Sequence, residues 1–323
     1  MNLLLAPMAT LSHQALRNVI YNFGGCDEYY TEMIQAGTLL AGGPFERYYL
    51  FTKPEPQKLV WQLCGGKAPA LACATELVCN TGGIGVDINM GCCAPDIVRA
   101  GSGIAWMLKP LKETEAMLCD VKDVIQKTGG NHRFSVKIRL GDENFTDKYF
   151  FSFIDMLSAT GVEQITLHPR TKKEKYRQPP RYEYVKKLCH YVQAKGYKID
   201  IILNGAVSDI ATYKKAISEA PLIKGIMIGR AAVQKPWIFA QLKGLLTEKI
   251  DLLQTALDFI EQLEKYQPPE FYKTRLQRFF TYYSDNVQFS HHLRNQLLNN
   301  PTIEGCKQKL HEYFDQCPHE RFL

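Results

Sequence analysis

The sequence predicts an α/β fold, a (β/α)8 TIM barrel followed by a small all-helical C-terminal domain. Three observations carry this. Eight short apolar runs bounded by turn residues fall before residue 230, the pattern of a parallel sheet buried on both faces. Stretches able to form helices separate most of them. Met8, Glu32, Gln62, Asn89, Lys137, Arg139, His168, Asn204 and Arg230 stand at or just beyond the ends of separate runs. A barrel gathers its site from strand C-termini in this way, whereas an open doubly wound sheet concentrates it at one crevice.

In chain order, strands are expected at Leu3–Ala6, Glu28–Thr31, Leu59–Leu63, Val86–Asn89, Ser135–Arg139, Gln164–His168, Asp200–Asn204 and Gly225–Ile228. Helices are expected at Ser12–Phe23, Ala70–Asn80, Leu111–Lys127, Lys148–Ala159, Tyr182–Lys195 and Asp209–Glu219. Ser12, Pro110 and Asp209 are the start signals among these. Gly42-Gly43-Pro44 interrupts any helix across Ala36–Tyr49, so the second βα unit is irregular. After Gln241 the periodicity is purely helical: Ile250–Tyr266, a break at Pro268-Pro269, then Phe271–Tyr283, Ser290–Leu298 and Gly305–Phe314. The expected division is a barrel over residues 1–246 and a helical domain over 247–323. The first helix of that segment is acidic, while Lys273, Arg275, Arg278, Arg294, Lys307 and Lys309 make the remainder basic.

A chain of 323 residues supports a core without a metal or disulfide staple. No apolar run approaches the ~20 residues of a membrane span, and no signal-peptide pattern opens the chain. A cytoplasmic protein is expected. The ten cysteines contain no CxxC pair, which argues against a zinc site or redox dithiol, and no metal is expected. The formal charge of +6 is mild, but Arg170, Lys172, Lys173, Lys175, Arg177, Arg181, Lys186 and Lys187 crowd one segment, interleaved with Tyr176, Tyr182 and Tyr184. A solvated face is the plain explanation of such a run. Its place beside a candidate site favours a nucleic-acid surface.

Asn204-Gly205-Ala206 and Ile228-Gly229-Arg230 end the seventh and eighth strands, where barrels recurrently bind phosphate. Lys137 alternates with Val136 and Ile138 and points to the opposite face from them; if those two face the helical layer, Lys137 projects into the barrel. A buried lysine needs an anion or dipole to compensate it; an ion pair with Asp87 or Glu32 is the structural alternative. Within Asp87-Ile88-Asn89-Met90-Gly91-Cys92-Cys93, a thiol with an ordinary pKa of about 8.5 is protonated at neutral pH and suits a general acid.

Ala6-Pro7-Met8, Gln62-Leu63, Asn89-Met90-Gly91-Cys92, Lys137-Ile138-Arg139, His168-Pro169-Arg170-Thr171, Asn204-Gly205 and Gly229-Arg230 occur in an order that resembles the FMN-dependent tRNA-dihydrouridine synthases. The resemblance covers the barrel, and the helical tail is similar to that family's RNA-binding domain. It implies FMN contacts from Ala6, Pro7, Met8, Gln62, Lys137, His168, Asn204, Gly205, Ala206, Gly229 and Arg230, with Cys92 as the catalytic acid. It further implies NADPH as electron donor and tRNA as partner, the substrate held by Asn89, Arg139, Arg170, Lys172, Lys175 and Tyr176. No obligatory protein partner is inferred. Three departures stand out: Cys93 where the family has proline, Ala206 where it has a second glycine, and Arg177-Gln178-Pro179-Pro180 after Tyr176. Two rival readings share some of these residues. One is a flavin barrel acting on a free pyrimidine, and the other is a non-catalytic RNA-binding protein.

Overall fold

The structure is a computed structural model that describes residues 1–142, 144, 146–174, 177–299 and 301–323. Its strands are β1 (Asn2–Leu5), β2 (Glu28–Tyr30), β3 (Ile34–Gln35), β4 (Leu59–Cys64), β5 (Gly85–Met90), β6 (Arg133–Ile138), β7 (Gln164–Leu167), β8 (Asp200–Asn204) and β9 (Gly225–Ile228). All pair in parallel; β1 lies between β2 and β9, and β2 pairs with β4, so the sheet closes into a barrel. The short β2 and β3 both pair with β4 and occupy one position in the ring.

Alternation along each strand separates two cores. Phe134, Val136 and Ile138 belong to the large cluster beneath the surrounding helices. Leu4, Ala6, Tyr30, Val60, Ile202 and Met227 form a small apolar cluster inside the ring. Across β4 to β7 one interior rung is polar, because pairing aligns Gln62 with Asp87, Asp87 with Ser135, and Ser135 with Gln164.

The helices Leu111–Lys127 and Tyr182–Lys195 begin and end as the sequence predicts. Asp209 caps the helix Ile210–Glu219 in a capping box with Thr212. Ser12 does not cap. The N-cap is His13, and the Ser12 hydroxyl instead accepts from the Met8 amide at 2.8 Å, tightening the loop after β1.

Helices Leu252–Tyr266, Pro269–Tyr283, Ser290–Asn299 and Ile303–Gln316 follow the barrel and share its large cluster through Phe259, Leu263, Phe279 and Tyr283. Phe259 and Phe279 stack at 3.6 Å. A buried ion pair also ties these helices to the barrel, Arg275 Nη1 to Glu32 Oε1 at 2.9 Å, both side chains 3% exposed. Glu32 also accepts from the Thr10 amide at 2.7 Å, so its carboxylate ties this helix to the loop after β1. The chain end folds back: Ile250 and Leu323 exchange backbone bonds, and Arg321 pairs with Asp251 at 2.6 Å.

Candidate active site

At the C-terminal ends of the strands lies a cavity of about 470 Å³. Ala6, Pro7 and Met8 enter it from the loop after β1, Lys137 from β6, and His168 from just beyond β7. Asn204, Gly205 and Ala206 enter from the turn after β8, Gly229 and Arg230 from the turn after β9. Ten of the eleven expected cofactor contacts therefore line one cavity; Gln62 is fully buried and is not among its lining residues. Val207, Ser208, Met227, Ile228, Ala231 and Gln234 complete the barrel wall, and Tyr282 and Asp285 close it from the helical segment. A larger cleft of about 1050 Å³ sits at the opposite end, near Arg133, Glu163 and Asp200. Two of its cations are already paired, Arg133 with Glu28 and Lys122 with Glu163. Barrels carry their chemistry at the strand C-termini, which favours the smaller cavity.

The turn after β8 takes an unusual backbone path. Gly205 has φ +148° and Ala206 φ +54°, the latter in the left-handed region. Asn204 donates through Nδ2 to the Met227 carbonyl at 2.8 Å, locking this turn to the next strand. A Cβ on Gly229 would meet Ala6 Cβ and Met8 Sδ at 3.5 Å, so the two strand ends are in contact.

The electrostatics centre on Lys137. Burial is the largest cause lowering its pKa to about 8, helped by Arg139 and opposed by Asp87 and Cys92. Among the described residues no carboxylate lies within ion-pair distance of its amine; Glu32 is engaged by Arg275, and Asp87 by Gln62 and Ser135. Burial, then Lys137, Arg139 and Arg170, hold His168 well below its ordinary pKa. Its imidazole is neutral, and Nε2 sits 3.1 Å from Arg170 Nη1, which puts the ring proton on Nδ1. Arg139 donates from Nε to the Gly91 carbonyl at 2.9 Å, pinning the loop that carries Cys92.

Cys92 is half-buried and held at both backbone ends. Its amide donates to Asn89 Oδ1 at 2.9 Å, and its carbonyl accepts from Ile104 at 2.9 Å. A Cβ on Gly103 would fall 2.4 Å from that carbonyl, so this contact requires glycine. Burial raises the Cys92 thiol pKa, keeping it protonated at neutral pH. Cys93 packs against the large hydrophobic cluster instead.

The dihydrouridine synthase profile matches residues 4–319. The chain belongs to the dihydrouridine synthase family. It is 27% identical over 323 aligned residues to a probable tRNA-dihydrouridine synthase of Helicobacter pylori, covering 97% of this chain and 92% of that one. It is 25% identical to one of Staphylococcus aureus, covering 96% and 92%. A tRNA-dihydrouridine synthase B of Pseudomonas putida is 26% identical, covering 81% and 74%. Among solved structures, an old yellow enzyme homologue from Zymomonas mobilis superposes with a TM-score of 0.52 at 13% identity, covering 84% and 94%. Morphinone reductase does so at 0.51 and 10%, covering 76% and 86%. At those identities the two structures speak to the barrel fold alone.

In this family member the basic segments divide sharply. Arg170 is buried and turned inward, donating from Nε to the Gln178 carbonyl at 2.5 Å. Arg181 pairs with Glu174 and Lys187 with Asp147. Lys172, half-buried, and Lys173 and Arg177, exposed, have no ion pair among the described residues. Lys175 and Tyr176 lie outside the described residues. In the tail, Arg275, Arg294, Lys307 and Lys309 all pair with carboxylates. Of the six basic residues singled out there, only Lys273 and Arg278 remain without such a pair among the described residues.

Proposed function

We propose that this chain reduces specific uridines of tRNA to 5,6-dihydrouridine, with FMN in the cavity above Lys137 and NADPH as the electron source. The observation that carries this is a cavity at the barrel mouth lined by a desolvated lysine and two glycine turns, with the protonated Cys92 thiol within electrostatic reach of that lysine. These residues fit FMN. The cavity falls within the roughly 300–1,000 Å³ of cofactor pockets. The turns after β8 and β9 offer backbone N–H groups and Arg230 for a phosphate. Lys137 supplies a cation with no ion-pair partner among the described residues. FMN, when bound, supplies hydride equivalents for carbon 6 of the base.

The chain's own residues do the rest. Lys137 stabilises negative charge on the ring edge it faces, in a site where burial strengthens the interaction. Asn89 and Arg139 hold the base and the Cys92 loop. Cys92 delivers the proton to carbon 5, so charge does not accumulate on the ring. The target base must leave the tRNA stack to reach the cavity, and Lys172, Lys173 and Arg177 meet phosphates beside the mouth.

The test is direct. Purified protein is expected to be yellow and, with NADPH, to form dihydrouridine in tRNA lacking it, read by nucleoside mass spectrometry. tRNA binding weakens with salt, and Lys172→Ala with Lys173→Ala flattens the slope by up to about two phosphate contacts. A colourless protein that leaves such tRNA unchanged refutes the assignment; turnover of free uracil instead of tRNA moves the substrate to small pyrimidines.

A further inference from the structure

The geometry points to Asp87 as a positioning residue that, through Gln62, fixes which face of the Asn89 amide reaches the Cys92 loop and which reaches the substrate. Three strands build this relay. The register sets Gln62 of β4 beside Asp87 of β5, and Asp87 beside Ser135 of β6. Asp87 is fully buried, and an ionised carboxylate only accepts. Ser135 Oγ donates to Oδ1 at 2.8 Å, and Gln62 Nε2 donates to Oδ2 at 2.7 Å. With its amino group drawn to Asp87, Gln62 presents Oε1 to Asn89, whose Nδ2 donates at 2.9 Å. Asn89 Oδ1 then faces the loop and accepts from the amides of Cys92 at 2.9 Å and Gly91 at 3.2 Å.

Each side-chain amide has two orientations. The acceptor-only carboxylate at one end and the donor-only backbone amides at the other select the same one for both. Asn89 Oδ1 is thereby saturated, and its second Nδ2 hydrogen is what remains for a ligand. Asn89 faces a base as a donor, matched to a carbonyl oxygen such as that of uracil and mismatched to an exocyclic amino group. Asp87 touches neither base nor thiol. This inference rests on the reading of Cys92 as the proton donor.

The test uses the full-length protein as purified and follows iodoacetamide alkylation of the Cys92 peptide by mass spectrometry, with exposed Cys73 as internal control. Asp87→Leu and Gln62→Met each release the Asn89 amide, and Cys92 is expected to react about fivefold faster or more, with Cys73 unchanged. The double variant reacts no faster than the faster single one, because both break one chain of contacts. Asp87→Asn stays within about twofold of wild type, since its carbonyl still accepts from Gln62. Unchanged Cys92 rates in folded variants, or multiplicative effects in the double, overturn the relay. Should Asp87→Leu not fold, an unchanged rate in Gln62→Met overturns it alone. Alkylation requires neither flavin turnover nor tRNA, so failure here is distinct from a wild-type protein that makes no dihydrouridine.

Discussion

Lys137→Met should make the flavin-free protein more stable and a poorer host for the flavin, with the balance set by pH. The native pKa of Lys137 is about 8 against 10.5 for a free lysine, a gap equivalent to roughly 3 kcal/mol at 1.36 kcal/mol per pH unit. Below pH 8 both folded and unfolded chains hold the proton, and the fold bears the full cost of burying it. Between pH 8 and 10.5 the folded chain has released the proton while the unfolded chain retains it, so wild-type stability rises with pH through that window. The stability advantage of Lys137→Met is therefore largest below pH 8 and closes by about pH 10.5. About 3 kcal/mol is its upper bound, since the substitution also removes a cation that favours ionised Asp87. Ligand binding runs the other way. Wild-type affinity for FMN, measured by fluorescence quenching, should fall above pH 8 by up to about tenfold per unit, and Lys137→Met should bind weakly with no such pH dependence. Urea unfolding of both apoproteins from pH 7 to 10.5 supplies the stability half. A constant difference across that range, together with parallel affinity curves, refutes the picture of an uncompensated buried cation.

Three further outcomes are expected. Cys92→Ala should retain flavin and tRNA binding yet lose about 10²–10⁴-fold in dihydrouridine formation, while Cys93→Ala is nearly silent in the same assay. Arg275→Met strands the Glu32 carboxylate at 3% exposure and should destabilise the protein by about 3–5 kcal/mol in urea unfolding, with Glu32→Gln in that background recovering part of the loss. Ala206→Gly relieves a left-handed alanine and should stabilise by up to about 1 kcal/mol, read as a raised thermal midpoint.

Much of the barrel was legible because its signals are local. Asp200–Asn204 and Gly225–Ile228 are apolar runs closed by turn residues, and Asp209 announces its own helix. Arg133 and Gly85 were not legible as strand residues, since they join β6 and β5 only through partners on other strands, Arg133 with Gly85 and Gly85 also with Val60. Ile34–Gln35 is too short to carry a period and is a strand only because Leu63 and Cys64 lie beside it. The cavity lining was legible for a similar reason: a lysine between two apolar neighbours and glycines at strand ends state their business within a few residues. What the sequence hides is partnership across the ring. Nothing near Asp87 names Gln62 or Ser135, and nothing near Tyr282 or Asp285 places them over the cavity.

The same limit decides how the basic residues should be understood. Counted along the chain, the tail and the segment after β7 look equally suited to a polyanion. In space, four of the six singled-out tail cations are already held by carboxylates, and Arg275 is a buried strut against Glu32. An exposed ion pair contributes little to stability, but it also presents little net charge to a phosphate. Lys172, Lys173 and Arg177 sit in the loop that follows β7, whose next residue His168 lines the cavity. Under the proposed function, the cations offered to RNA are those of the loop after β7, while the tail contributes a wall through Tyr282 and Asp285 and a brace through Arg275.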